Sequence, residues 1–126
     1  MAETSKGMYL TGWVLSAIPG LMMITGGVNA LVSRSAQMVE GMTHLGYTEA
    51  HFVTLGVIEI VCAVLYLVPR TSVLGAILLT GYFGGAVASH FRIGEGMWVV
   101  AAVFGVVTWL GLWLRDVRLR VLLPLS

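Results

Sequence analysis

The fold is decided by residues 55–95, LGVIEIVCAVLYLVPRTSVLGAILLTGYFGGAVASHFRIGE. This stretch predicts two apolar helices joined by a turn at Pro69, and the first helix carries a single carboxylate, Glu59, inside its apolar run. A charged side chain near the middle of a bilayer costs at least about 2.5 kcal/mol on insertion scales, so such residues usually face a bundle interior or a wet cavity. Glu59 is therefore the first candidate for a functional residue.

The composition places the chain among polytopic membrane proteins. Hydrophobic residues make up 58% of the 126 residues and charged residues only 10%, a balance that is not typical of a soluble domain. The apolar residues fall in four blocks, and a spanning helix needs about 20 mostly apolar residues. We predict one all-α domain over residues 1–126, a transmembrane antiparallel four-helix bundle. Its helices are predicted at about residues 9–33, 50–68, 72–91 and 97–114.

The charges predict a topology but no nucleic-acid partner. A net charge of +1 does not favour nucleic-acid binding. In a four-span arrangement one side of the membrane receives most of the basic residues, namely Lys6, Arg70, Arg115, Arg118 and Arg120, and the other side receives Arg34 and Arg92. Because cytoplasmic loops carry the excess of lysine and arginine, we expect both termini in the cytoplasm and the chain in the cell (inner) membrane. The basic tail after helix 4 is expected to lie on the inner leaflet.

Small residues predict how the helices pack. In helix 1, Gly12, Ser16, Pro19, Gly20, Met23, Gly27 and Ala30 share one side. In helix 3, Gly81 and Gly85 form a GxxxG pattern that predicts a close helix contact and a central position for this helix. Six aromatic residues are expected in belts at the two interfaces, Trp98 at the outer one and Tyr9, Trp13, Tyr66, Trp109 and Trp113 near the inner one.

Several polar residues outline a possible site around Glu59. In an antiparallel packing Tyr82 lies near the level of Glu59, His90 lies nearer the surface, and Asn29 approaches from the same outer side. We expect a cavity that opens to the noncytoplasmic face and has Glu59 as its floor. The candidate catalytic residues are Glu59 and His90, which could exchange protons with a ligand. The candidate ligand-binding residues are Asn29, Glu59, Tyr82, Ser89, His90, Arg92 and Trp98. The alternative is that these groups only hold the helices together.

Two other kinds of site are not favoured. Cys62 is the single cysteine, which excludes an internal disulfide and a CxxC redox centre. His44 and His51 lie among acids in the polar segment after helix 1, but their spacing fits no standard metal motif, so we expect loop residues and no metal. In this segment Thr48 is a plausible N-cap for helix 2.

The hairpin and tail resemble the DoxX-like family of small four-helix membrane proteins. The resemblance rests on LGVIEIVCAVLYLVPRT, LGAILLTGYFGGAVASHFR and WLGLWLRDVRLR, and it includes Glu59, the Pro69 turn, His90 and Arg92. Val117 stands where similar sequences often have proline. The family takes its name from a subunit associated with a quinol oxidase, other relatives look like accessory or redox-linked proteins, and an animal branch resembles an assembly chaperone for receptor channels.

Two functional hypotheses follow. In the first, the bundle binds a small apolar or quinone-like molecule against Glu59 and His90. A further form of this hypothesis adds proton-transfer or redox-linked chemistry on the bound molecule. In the second, the protein is a noncatalytic accessory or assembly factor that docks on a partner membrane protein. A homo-oligomer is compatible with both. The sequence names no cofactor, and it leaves open whether the protein is an enzyme.

Overall fold

The chain folds into helices joined by short connections. The computed structural model describes residues 5–123, and in this range it contains helices and turns but no strand. Four helices are long and apolar enough to cross a membrane. The helices are α1 (Lys6–Val28, continued by a π-helical turn, Asn29–Ser33), α2 (Ala36–His44), α3 (Glu49–Leu67), α4 (Ser72–Arg92, preceded by a 3-10 turn, Pro69–Thr71), α5 (Trp98–Arg115) and α6 (Val117–Leu122).

The four long helices form a square antiparallel bundle. α1 packs against α3 and α5, and α4 packs against the same two helices. The 3-10 turn fixes the α3–α4 hairpin, where the Thr71 hydroxyl donates to the Leu65 carbonyl at 2.7 Å and the Ser72 hydroxyl donates to the Val68 carbonyl at 2.9 Å. We call the end of the bundle that holds this turn the Pro69 end, and the opposite end the α2 end. The predicted four-helix fold is confirmed, but the predicted central position of α4 is wrong, because α4 has the same two neighbours as α1.

Glycines bring the backbones of neighbouring helices together. A Cβ at Gly12 would lie 2.7 Å from the backbone nitrogen of Arg115, so α1 and α5 are in close contact there. Gly27 of α1 and Gly56 of α3 face each other in the same way. The predicted small side of α1 is buried along its length, which confirms that prediction. Small residues at helix contacts are the usual means by which membrane helices approach closely.

The glycine that brings α4 against α3 is Gly75. A Cβ at this position would collide with the backbone of Tyr66 and Leu65. By contrast, a Cβ at Gly81 or Gly85 would meet no atom within 4 Å. The prediction that the GxxxG pattern packs against a neighbouring helix of the bundle is therefore wrong, because the close backbone contact between α3 and α4 is at Gly75.

A buried arginine closes the bundle at the Pro69 end. Arg115 at the end of α5 is only 7% exposed. It donates to the Ser16 hydroxyl at 2.8 Å, to the Ser72 hydroxyl at 3.2 Å and to the Tyr66 carbonyl at 2.8 Å, and it lies over the Trp13 ring. These contacts join α1, α3, α4 and α5. Arg115 therefore does not lie on the inner leaflet as expected.

One further expectation for this end is wrong for the same reason, that the interior offers polar partners. Tyr66 is fully buried, and its hydroxyl donates to the Thr108 carbonyl at 2.6 Å, so it is a core residue and does not belong to an interfacial belt. Arg120 of α6 is also buried, and it donates to the carbonyl oxygens of Trp113 and Leu114 at 2.7 and 3.1 Å. The tail thus contacts the end of α5, while Val121 and Leu122 are exposed, and its placement on the inner leaflet stays a prediction.

Candidate functional site

A cavity of about 590 Å³ lies inside the bundle at the α2 end. Ligand pockets in proteins commonly enclose 300–1,000 Å³ with mainly apolar walls. All four long helices and α2 contribute to its walls. The principal lining side chains are apolar or aromatic, and they are Met22, Met23, Met38, Met42, Leu45, Leu55, Phe83, Met97, Val100 and Phe104. The size and the walls suit a small apolar molecule.

Glu59 supplies the carboxylate of this cavity. It lies on the packed side of α3, as predicted, and its oxygen Oε1 accepts a hydrogen bond from the Tyr82 hydroxyl. Its other oxygen, Oε2, is shielded from solvent and has no hydrogen-bond partner among the residues that the structure describes. A Cβ at Gly26 of α1 would lie 3.0 Å from Oε2, so the glycine leaves the space that this oxygen occupies. One carboxyl oxygen, Oε1, is therefore hydrogen-bonded to the protein, and the other, Oε2, is unpaired.

The short helix α2 covers the cavity at the α2 end. Met38, Met42 and Leu45 fall on one side of it and line the cavity. Ser35 is the N-cap of the helix, and its hydroxyl accepts from the Met38 amide at 3.3 Å. The Asn29 side chain accepts from the Ser35 amide at 3.0 Å. The sequence predicts an opening at this end, and that opening stays a prediction, because α2 is only one part of the cavity lining there. Asn29 thus fixes the start of α2 and does not line the cavity.

Polar contacts hold this covering segment on the bundle. The hydroxyls of Tyr47 and Ser89 lie 3.0 Å apart, and Arg92 donates from Nη2 to the Leu45 carbonyl at 2.6 Å. Glu95, in the loop after α4, lies 3.1 Å from His44 of α2, between its Oε1 and the histidine Nε2. These contacts connect α2 and the segment after it to the end of α4.

His90 lies on the same side of α4 as Ser89 and also lines the cavity. Its Nδ1 donates to the Ala86 carbonyl one turn earlier, at 2.7 Å, and its Nε2 is 3.9 Å from Oε2 of Glu95. This hydrogen bond fixes the orientation of the ring. Because Nδ1 is the donor in it, Nε2 is the nitrogen that remains to exchange a proton. Among residues 5–123 no group of three histidine, cysteine or acidic side chains is placed to hold a metal ion.

The structure brings together part of the predicted site. The predicted residues that line the cavity are Glu59, Tyr82, Ser89 and His90. Asn29 caps α2, Arg92 turns to the Leu45 carbonyl, and Trp98 packs edge-on against Phe91 at 5.7 Å, so these three do not line it. Sequence reasoning did not include Tyr47, Glu95 and the methionines of α2. The apolar spacing of residues 38, 42 and 45 was the signal for these methionines, since it marks one face of a short helix.

Gly81 and Gly85 of α4 also line the cavity, and both are exposed. Because neither residue has a side chain, backbone alone bounds the cavity at these positions.

Comparisons with known proteins identify a family and no individual relative. None of the curated proteins and none of the solved structures matches the chain. The model of the DoxX-like family matches residues 14–111, which is more than half of the chain. The matched range includes every residue that lines the cavity. With this match and its four membrane-length helices, the chain belongs to the DoxX-like family of small membrane proteins.

Proposed function

We propose that this membrane protein binds a small apolar or quinone-like molecule in the cavity, with the polar head of the molecule against Glu59. The observation that carries the proposal is the unpaired oxygen Oε2 of a carboxyl group that lines an apolar cavity. A buried polar atom without a partner is costly, and polar groups in native interiors are normally hydrogen-bonded. Because Oε2 lies against Gly26 and is shielded from solvent, a hydroxyl on the ligand would donate the missing hydrogen bond after the carboxyl group turns this oxygen toward the cavity.

The neighbours of Glu59 define how such a head would be held. The Tyr82 hydroxyl donates to Oε1, which orients the carboxyl group and leaves Oε2 as its unpaired oxygen. His90 and Ser89 line the cavity farther along α4, toward the α2 end. Carboxyl and imidazole groups are the side chains that most often exchange protons with ligands. Proton exchange with a bound quinol head would therefore take place at Glu59, with His90 as the second candidate.

Glu59→Gln tests this function, because the amide keeps the shape of the side chain and cannot ionise. We use decylubiquinol as the probe and thermal unfolding in detergent as the assay. A ligand at about 100 times its dissociation constant stabilises the folded state by roughly 2.7 kcal/mol, so the wild type should unfold at a clearly higher temperature with the probe present. Glu59→Gln should fold but lose most of this shift.

Glu49→Gln is the matched control, since Glu49 is an exposed acid at the start of the same helix and does not line the cavity. It should keep the full shift. A wild type that decylubiquinol does not stabilise would refute quinol binding. An undiminished shift in Glu59→Gln would refute the contact between the head and the carboxyl group.

A second candidate is an accessory subunit that docks on a partner membrane protein, and the outer face of α4 favours it. Gly84 is exposed there, and a Cβ at this position would meet no atom within 4 Å. Such glycines allow a partner helix to approach closely. Gly84 does not line the cavity. Gly84→Leu should therefore remove a partner or a second copy from the purified protein, measured by native mass spectrometry, without changing the binding of decylubiquinol.

A further inference from the structure

We infer that the molecule that fits this cavity best is an apolar cation, such as a lipophilic amine or a quaternary onium ion, with its positive charge beside Glu59. This inference rests on the proposed binding function and adds the charge of the ligand. It follows from the charges around the cavity and from the chemistry of its walls.

The ionisable residues that line the cavity carry no fixed positive charge. They are Glu59, Glu95 and His90, together with the tyrosines Tyr47 and Tyr82, and within the described range neither lysine nor arginine lines it. Among the described residues, Glu59 takes part in none of the ion pairs. Arg92, the basic residue nearest in sequence to His90, donates to the Leu45 carbonyl. The carboxyl group of Glu59 thus lacks a basic partner within the protein.

This arrangement discriminates between ligands by charge. A carboxylate in an apolar interior is normally paired with a cation, because an isolated charge there is poorly solvated. A cationic ligand supplies the missing partner, whereas an anionic ligand would place a second negative charge in the same low-dielectric space. A neutral ligand satisfies only the hydrogen bond. The expected order of affinity is therefore cation, neutral molecule, anion.

The walls suit an organic cation of some size. Phe83 and Phe104 stack with ring centroids 6.0 Å apart, and Tyr82 packs edge-on against Phe83 at 6.4 Å. Aromatic faces attract cations, and quaternary ammonium groups are commonly bound in this way. The methionines of the lining have flexible, polarisable side chains that adapt to irregular ligands. The cavity combines an acid, aromatic rings and adaptable apolar walls.

The test compares two ions of nearly the same shape and opposite charge, tetraphenylphosphonium and tetraphenylborate. Binding is measured by equilibrium dialysis against the protein in detergent, with protein-free micelles as the reference for partitioning. Tetraphenylphosphonium should bind the wild type at least about tenfold more tightly than tetraphenylborate. Glu59→Gln should lower its affinity by at least about tenfold, since removing one member of a buried charge pair has effects of this size or larger. Glu49→Gln should leave it unchanged.

The outcomes separate this inference from the proposed function. If decylubiquinol binds through Glu59 while the two ions bind equally, the cavity accepts neutral ligands and the inference is wrong. If tetraphenylphosphonium binds through Glu59 and decylubiquinol does not, the inference is supported and the quinone-like form of the proposed function is refuted. If neither probe binds, both proposals fail. An equal affinity of Glu59→Gln and wild type for the phosphonium ion would also overturn the inference.

Discussion

Gly75 should be the least replaceable glycine of α4, although it lies outside the GxxxG pattern. A methyl group at this position would overlap the backbone of Tyr66 and lie 2.7 Å from the carbonyl carbon of Leu65. Ordinary contacts between carbon atoms are about 3.5–4.0 Å. Because the atoms in the way belong to the backbone of α3, a side-chain rotation cannot relieve the overlap. Gly75→Ala must move α4 away from α3 by roughly 1 Å or more to restore such contacts.

The expected cost follows from two opposing effects. Overpacking of a filled interior typically costs about 1–3 kcal/mol, and a clash between backbones belongs at the upper end of that range. Alanine in place of glycine favours a helix by about 1 kcal/mol. The net loss for Gly75→Ala is therefore about 2 kcal/mol, which corresponds to a melting temperature lower by roughly 8 °C for a chain of this size.

Gly85→Ala is the control, because a methyl group there meets no atom within 4 Å. It should gain the helix preference without the clash and melt at the same temperature as the wild type or a few degrees higher, by about 0.5–1 kcal/mol of stability. Both variants are unfolded in the same detergent at one heating rate, with circular dichroism as the signal. The reasoning is refuted if Gly75→Ala melts like the wild type, or if Gly85→Ala is the more damaging change.

Arg115→Leu should lower the unfolding free energy by about 3 kcal/mol, because it removes the hydrogen bonds from Arg115 to three buried oxygens, whereas Arg70→Leu at the exposed turn should change it by less than about 0.5 kcal/mol; similar melting temperatures for the two variants would contradict the structural role of Arg115. For the topology, an impermeant thiol reagent added outside intact cells should label a cysteine introduced at Glu40 and should not label one introduced at Arg70, in a background without the native cysteine; the reverse pattern would invert the predicted orientation. The hydrogen bond from Arg118 holds the pKa of Asp116 below its ordinary value. The stabilisation that this carboxylate gives to α6 should therefore be complete above about pH 3.9 and be lost as the pH falls through the lower pKa of the folded state. Hydrogen exchange of the α6 amides in Asp116→Asn and wild type should differ at neutral pH, and equal rates there would show that the carboxylate does not stabilise α6.

The residues that line the cavity were predictable from the sequence where they lie on regular helices. Glu59 stands out because it is an acid in an apolar run, and helical spacing places it on the side of α3 that also carries Gly56 and Ala63. Antiparallel packing of neighbouring helices then gives the level of Tyr82, whose hydroxyl does contact Glu59. The cover of the cavity was not recoverable in this way, because the direction of α2 depends on the connection through Arg34, which adopts a left-handed backbone conformation.

The sequence by itself determined the four membrane-length helices, the buried side of α1 and the position of Glu59. These depend on local periodicity and on the hydropathy of about 20 residues at a time, which a chain carries without reference to its neighbours. Only the tertiary structure decided that Gly75 and not Gly85 meets α3, and that Arg115 points into the bundle. A residue at the end of a helix can face either the membrane surface or the interior. For Arg115 the choice is made by oxygens on three other helices, those of Ser16, Tyr66 and Ser72, which come together only when the bundle is assembled.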